Sequence, residues 1–247
     1  YQVTQKGSAL DHQIIYGKTK VAGVVVFDAT TGSSNKYLHR VMAFAGHEIN
    51  SYEEFWLNDY KLTLNSSGEV TSATDDGGTT TTSRYNGYVT IKSHLGSNSS
   101  NDTVADSDLV SATSGLAADS RWTSDHKLLG IAYVYVKLKF DAEVFPNGLP
   151  ELQAVIKGKK VYDPRDSGQA AGTPSTWTWS SNPALCIRDY LHSDHGINED
   201  TAYIDDALVQ SAANRCDETA SGSLPFFTLN GAFTTGGQPV DILQDML

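Results

Sequence analysis

Apolar residues in this chain follow two rhythms. Up to about residue 162 they come as short runs or alternate with polar neighbours; beyond residue 182 they recur every three or four positions. Val21 to Phe27 is a continuous apolar run with three successive valines, which predicts one buried strand. Tyr37 to Ile49 predicts a second, with Leu38, Val41, Ala43 and Ala45 as its apolar positions. Glu53 to Leu64 reads as a hairpin turning at Asn58-Asp59. Tyr85 to His94 alternates as a strand, with Val89 and Ile91 on one face. Leu128 to Phe140 alternates most regularly. It sets Val134, Val136, Leu138 and Phe140 inward and Tyr133, Tyr135, Lys137 and Lys139 outward. Leu152 to Ile156 and Lys160 to Tyr162 are expected to pair as a hairpin across Lys157-Gly158. A short β segment is expected at Phe226 to Leu229.

The connecting stretches are polar. Residues 1–17 predict an extended entry arm, and Asn65–Arg84, mostly Ser, Thr, Asp and Gly, predicts a mobile loop. Ser97 to Asn101 predicts a second loop, and Asp106 to Ser111 a short helix. From Asn182 the helical period takes over. Asn182 is placed to cap a helix that has Pro183 at its first position and ends before Gly196. Asp205 and Asp206 open a second helix, with Val209, Ala212, Ala213 and Cys216 on one face. Pro239 starts a third, with Ile242, Leu243, Met246 and Leu247 on its apolar side. The expected fold class is α+β, mainly β. Antiparallel barrel- or sandwich-like domains over residues 1–166 precede a smaller α+β segment over 177–247, with the boundary in the spacer Ser167–Thr176.

Composition narrows the role. Twenty-nine acidic against 18 basic residues give a formal charge of −11, the opposite balance from a protein that tracks nucleic acid by neutralising phosphates. Lys157, Lys159 and Lys160 form the tight basic cluster, expected at a solvated hairpin tip. Two cysteines, Cys186 and Cys216, do not make a disulfide framework, and both are expected as free thiols on helices. No run approaches a membrane span. The first residue is Tyr1, and the last segment, V-D-I-L-Q-D-M-L, has no stop signal; together they predict a piece of a longer protein.

Candidate chemistry is thin. Gly17-Lys18-Thr19 lacks the first glycine of a phosphate loop, since position 12 is His12. His192, Asp194 and His195 could share a metal, but they sit at the fraying end of a helix, where histidine complements the dipole. The acidic stretch of Asp194, Glu199, Asp200, Asp205 and Asp206 lacks the alternation of a calcium loop. Glu53, Glu54 and Asp59 could supply paired carboxylates for glycoside hydrolysis. Trp122, Trp177, Trp179 and the tyrosines could form a sugar platform, although aromatic pairs more often serve packing. No metal, cofactor or catalytic residue is assigned. Asp163-Pro164-Arg165 and Arg188-Asp189 are candidates for structural ion pairs whose partners are not readable.

Several blocks, taken in order, resemble one family. They are I-Y-G-K-T-K-V-A-G at Ile15–Gly23, A-G-H-E-I at Ala45–Ile49 with W-L-N-D at Trp56–Asp59, and W-T-S-D-H-K-L-L-G-I-A-Y at Trp122–Tyr133. The most specific are V-I-K-G-K-K-V-Y-D-P-R at Val155–Arg165 and S-N-P-A-L-C-I-R-D-Y-L at Ser181–Leu191, followed by A-A-N-R-C-D-E at Ala212–Glu218. The chain is similar to the central tail hub (tip attachment protein J) family of long-tailed bacteriophages and prophages. That resemblance implies a structural, non-enzymatic homotrimer at the virion tail tip, assembled in the bacterial host cytoplasm. Its partners would be the distal tail protein, the tape-measure protein, tail-tip assembly proteins and downstream receptor-binding modules. Phage DNA would pass through the ring transiently, which an acidic lumen suits. Asp163, Pro164, Arg165, Asn182, Pro183, Arg188 and Asp189 are the family-motif positions. A carbohydrate-binding or glycan-cleaving tail module is the alternative. A secreted β-rich adhesin, with Cys186 bridged to Cys216, is a third reading.

Overall fold

The computed structural model describes residues 5–6, 10–98, 107–219 and 224–247. Two compact units form, each from discontinuous segments. The first takes Tyr1–Leu10, Lys20–Glu48 and Tyr52–Val155; the second takes Asp11–Thr19, Ile49–Ser51 and Ile156–Leu247. The class is α+β, mainly β, with largely antiparallel sheets and four α-helices among the described residues.

The first unit holds a five-stranded sheet ordered β1 (Gln5–Lys6), β4 (Val24–Thr31), β5 (Tyr37–Ala45), β11 (Ala132–Lys139), β10 (Val89–His94). All neighbours in it are antiparallel except β1 and β4. A second sheet runs β3 (Lys18–Ala22), β12 (Leu152–Lys157), β6 (Ser51–Leu57), β7 (Tyr60–Leu64), β8 (Val70–Thr74), β9 (Thr80–Thr81). Lys18–Thr19, Ser51 and Ile156–Lys157, at the ends of three of its strands, belong to the second unit. Both sheets are open among the described strands, so the expected barrel does not close.

The valine run is not one strand. It breaks at Gly23 into β3 and β4, which join different sheets. A side chain at Gly23 would collide with the Phe44 ring, so the break needs glycine. A bulge in the β4–β5 ladder between Val25 and Phe27 then leaves Val26 exposed between buried Val25 and half-buried Phe27. The Asn58-Asp59 hairpin forms as expected, with Asn58 at φ 52°. The expected loop 65–84 instead contains β8 and β9, because Val70 and Ala73 are enough to bury one face of a Ser/Thr-rich strand. On β11 the inward set Val134, Val136 and Leu138 is buried, while Phe140 lies beyond the strand and is 67% exposed. The outward set does not stay in solvent. Tyr133 and Tyr135 pack with Val41, Trp122 and Leu109 of α1 (Ser107–Thr113), which covers that face. Of the expected 97–101 loop, residues 99–101 lie outside the described residues, as does Asp106 of the expected helix.

The second unit is built around three helices, α2 (Pro183–His192), α3 (Asp206–Asp217) and α4 (Pro239–Met246). The expected entry arm contains a strand here. β2 (Gln13–Tyr16) pairs antiparallel with β15 (Gly231–Thr234), so the late β segment lies after Phe226–Leu229 rather than on it. Ile14, Ile15 and Tyr16 are all buried, each isoleucine worth about 1.5–3 kcal/mol of transfer free energy. Nor do Leu152–Ile156 and Lys160–Tyr162 form a hairpin. Gly158 N–H donates to the Gly17 carbonyl and Lys159 N–H to that of Ile15, which carries the chain straight on. Gly158 passes so close to the Ile15 carbonyl that no side chain fits. β13 (Lys160–Val161) then pairs with β14 (Thr178–Trp179). Tyr16, Val161, Leu185, Cys186, Tyr190, Ala213, Ile242 and Met246 form the core.

Candidate functional site

The family-motif residues all fall in the second unit, and the geometry gives each one a task. Asn182 caps α2: its side-chain oxygen accepts from Ala184 N–H at 3.0 Å, and Pro183 fills the first helical position, which has no need of a donor. The Asn182 amide also donates to the Ala213 carbonyl at 2.9 Å, which ties the start of α2 to the body of α3. Both Asn182 and Ala213 are buried, so this bond satisfies groups that water cannot reach.

Arg188 and Asp189 point to different partners. Arg188 is 4% exposed and makes a two-pronged pair with Asp206 in the first turn of α3, at 2.6 and 3.3 Å. Its guanidinium lies over the Tyr162 ring, 4.5 Å from the centroid. Asp189, one residue on, accepts from the Tyr16 hydroxyl at 2.5 Å and from Lys159 Nζ at 2.7 Å. Burial first, and the neighbouring Asp189 charge second, push the Tyr16 phenol well above its ordinary value. It therefore stays protonated and donates. The same two causes push the Cys186 thiol up to about 12, so this buried cysteine is no nucleophile.

Asp163-Pro164-Arg165 closes the far side. Arg165 Nε and Nη2 bind Asp163, and its Nη1 reaches Asn214 at 3.1 Å and Asp217 at 2.8 Å near the end of α3. The Pro164 carbonyl accepts from Gln210 in the middle of the same helix. Burial works against an ionised Asp163, but the hydrogen bonds and charge of Arg165 outweigh it and hold the carboxyl below its usual value of 3.8. The Arg165 guanidinium is raised in turn, chiefly by the hydrogen bonds it donates to Asp163. α3 is thus held near its start by Arg188, at its middle by Asn182 and Pro164, and near its end by Arg165.

Sequence reasoning missed Tyr16, Lys159, Asp206 and Asp217 as the partners. Lys159 is not at a solvated hairpin tip; it is spent on Asp189, while Lys157 lies over the Trp179 ring at 5.0 Å. The remaining candidates scatter. Trp177 donates to the Ala170 carbonyl and Trp179 to that of Gly17, so the two indoles serve different loops and form no shared platform. Glu54 accepts from the Trp56 indole and pairs with Lys61, across the hairpin of β6 and β7. His192 Nδ1 contacts the Glu199 carbonyl, and the His195 ring meets the His12 ring edge-on. Asp205 caps α3 by accepting from Ala207 and Leu208 N–H. Cys186 and Cys216 are free.

No protein-family model matches the chain, and no curated protein does. Among solved structures the chain is similar to one chain of a native gene transfer agent virion particle. The identity is 16% and the TM-score 0.40, over 70% of this chain and 31% of that one. The chain therefore spans about a third of that neighbour's length. At this TM-score the likeness carries no argument about role. No helix among the described residues is long and apolar enough to cross a membrane.

Proposed function

We propose that this chain is a structural part of a phage tail tip, the central hub that joins the tail tube to receptor-binding parts and helps close the tube before DNA ejection. It acts by assembly, as a homotrimer, and carries out no reaction. One observation supports this most. The seven family-motif positions of the two most specific blocks, Asp163, Pro164, Arg165, Asn182, Pro183, Arg188 and Asp189, serve as braces inside one unit, in capping, bidentate pairing and buried hydrogen bonding. Residues kept for catalysis would be expected to converge on a cavity with titratable groups free to exchange protons. Here Asp189 and Asp163 are each taken up by cationic partners.

Gold-labelled antibodies against the purified chain test this on particles from the organism that encodes it. Labelling confined to the distal tail end is expected. Unlabelled particles, or glycan turnover by the purified chain, would remove the proposal.

A further inference from the structure

The second unit carries an open groove of about 780 Å³ between the exposed faces of α2 and α3. Ile187 and Leu191 line it from α2, Leu208 and Ala212 from α3, and Phe227 and Phe233 from the chain that follows. Leu208 is 69% exposed and Phe227 57%. Neither belongs to the core, and together they make a contiguous apolar strip of the kind that marks a contact surface.

The charge around the strip is one-sided. From Pro183 to Leu247 the chain holds ten Asp and Glu against two Arg and no Lys. Both arginines are already paired, Arg188 with Asp206 and Arg215 with Glu218. Asp206, Asp217 and Glu218 at the ends of α3 are paired with Arg188, Arg165 and Arg215, so the rim charge comes from Asp205 at the start of α3 and from Asp245, which lines the groove itself. This stretch alone contributes eight of the chain's eleven net negative charges. Two helices set side by side, with small Ala184 and Ala212 in their facing rows, leave a trough that an amphipathic segment fills with large side chains.

We infer that this groove docks a basic amphipathic segment of another protein, whose Leu, Ile or Phe anchors enter the trough while its Lys and Arg meet the acidic rim. Like-charge repulsion from the rim excludes acidic segments and disfavours a second copy of this strongly acidic face. The inference rests on the groove and its charge, and it stands whether or not the chain belongs to a tail tip.

A displayed library of random 16-residue peptides, selected against the full chain, tests it. Enriched peptides are expected to carry net positive charge and apolar residues spaced three and four apart. Their affinity should fall at least about tenfold between about 0.05 M and 0.5 M salt, as the acidic rim is screened. Leu208→Glu, a surface change, should weaken them at least about tenfold, and Asp245→Lys should weaken basic peptides while leaving the circular-dichroism melt unchanged. An unenriched pool, enriched neutral or acidic peptides, or binding that survives Leu208→Glu would overturn the inference. So would light scattering that shows self-association abolished by Leu208→Glu, since the occupant would then be a second copy.

Discussion

Replacing Asp189 by Asn removes one charge and almost no volume, at the point where three separate pieces of chain meet. Asp189 is 7% exposed and binds the buried Tyr16 hydroxyl and the Lys159 ammonium, whose side chain is 21% exposed. The Tyr16 bond falls from a charge-assisted to a neutral one, a loss of about 1–1.5 kcal/mol. Lys159 loses its counter-charge but can turn outward, which adds about 0.5–1 kcal/mol. The total is about 2 kcal/mol, read as a lower urea midpoint at unchanged slope. Tyr16→Phe alone should cost about 1.5–3 kcal/mol, and the double variant should fall short of the sum by about 1 kcal/mol, because both changes strike one bond. A loss under about 0.5 kcal/mol for Asp189→Asn, or additivity within about 0.3 kcal/mol, would refute the reasoning.

Other outcomes follow from the same geometry. Arg188→Lys keeps the charge but gives up the two-pronged bond to Asp206 and the stack on Tyr162, and should lower the thermal midpoint by the equivalent of about 1–2 kcal/mol. His39 is buried between the Thr31 and Tyr135 hydroxyls, and burial first, then Lys137, lowers it from 6.5 to about 4. The unfolded chain therefore binds the extra proton first, so stability present above pH 6.5 should decline as pH falls toward about 4; urea titrations of His39→Gln should lack that decline. Asp163, whose folded value is depressed, adds stability above its ordinary value of 3.8 that is lost as pH falls below it, and Asp163→Asn should flatten that acid limb. A thiol reagent should label Cys216 in the native protein and Cys186 only on unfolding, because Cys186 is fully buried with its thiol pushed up to about 12.

The helices of the second unit were legible because their start signals are local. Asn182-Pro183, Asp205-Asp206 and Pro239 mark starts that the structure matches within a residue or two. The strands were legible where one face alone is apolar, as on β10, and misread where tertiary packing decides. The break at Gly23 hides in an unbroken apolar run, and the Phe44 ring that a side chain there would meet is distant in sequence. β8 hides in a polar stretch because only two of its residues need burial. Tyr133 and Tyr135 looked outward because nothing in β11 itself announces that α1 will cover them. At the candidate site the sequence marked Asp163, Arg165, Arg188 and Asp189 but not their partners. Tyr16 and Asp189 lie 173 positions apart, and no spacing rule connects them. The one available signal was the apolar run Ile14-Ile15-Tyr16 in a segment otherwise read as an arm.

The central proposal is that this chain acts by assembling with its neighbours at a phage tail tip. Cryo-electron microscopy of particles from the encoding organism tests that directly. Three copies around the tail axis at the distal end, with the braced helical unit recognisable in each, are what the account predicts. A particle that lacks the chain, or one copy standing apart as a glycan-bound module, would contradict it.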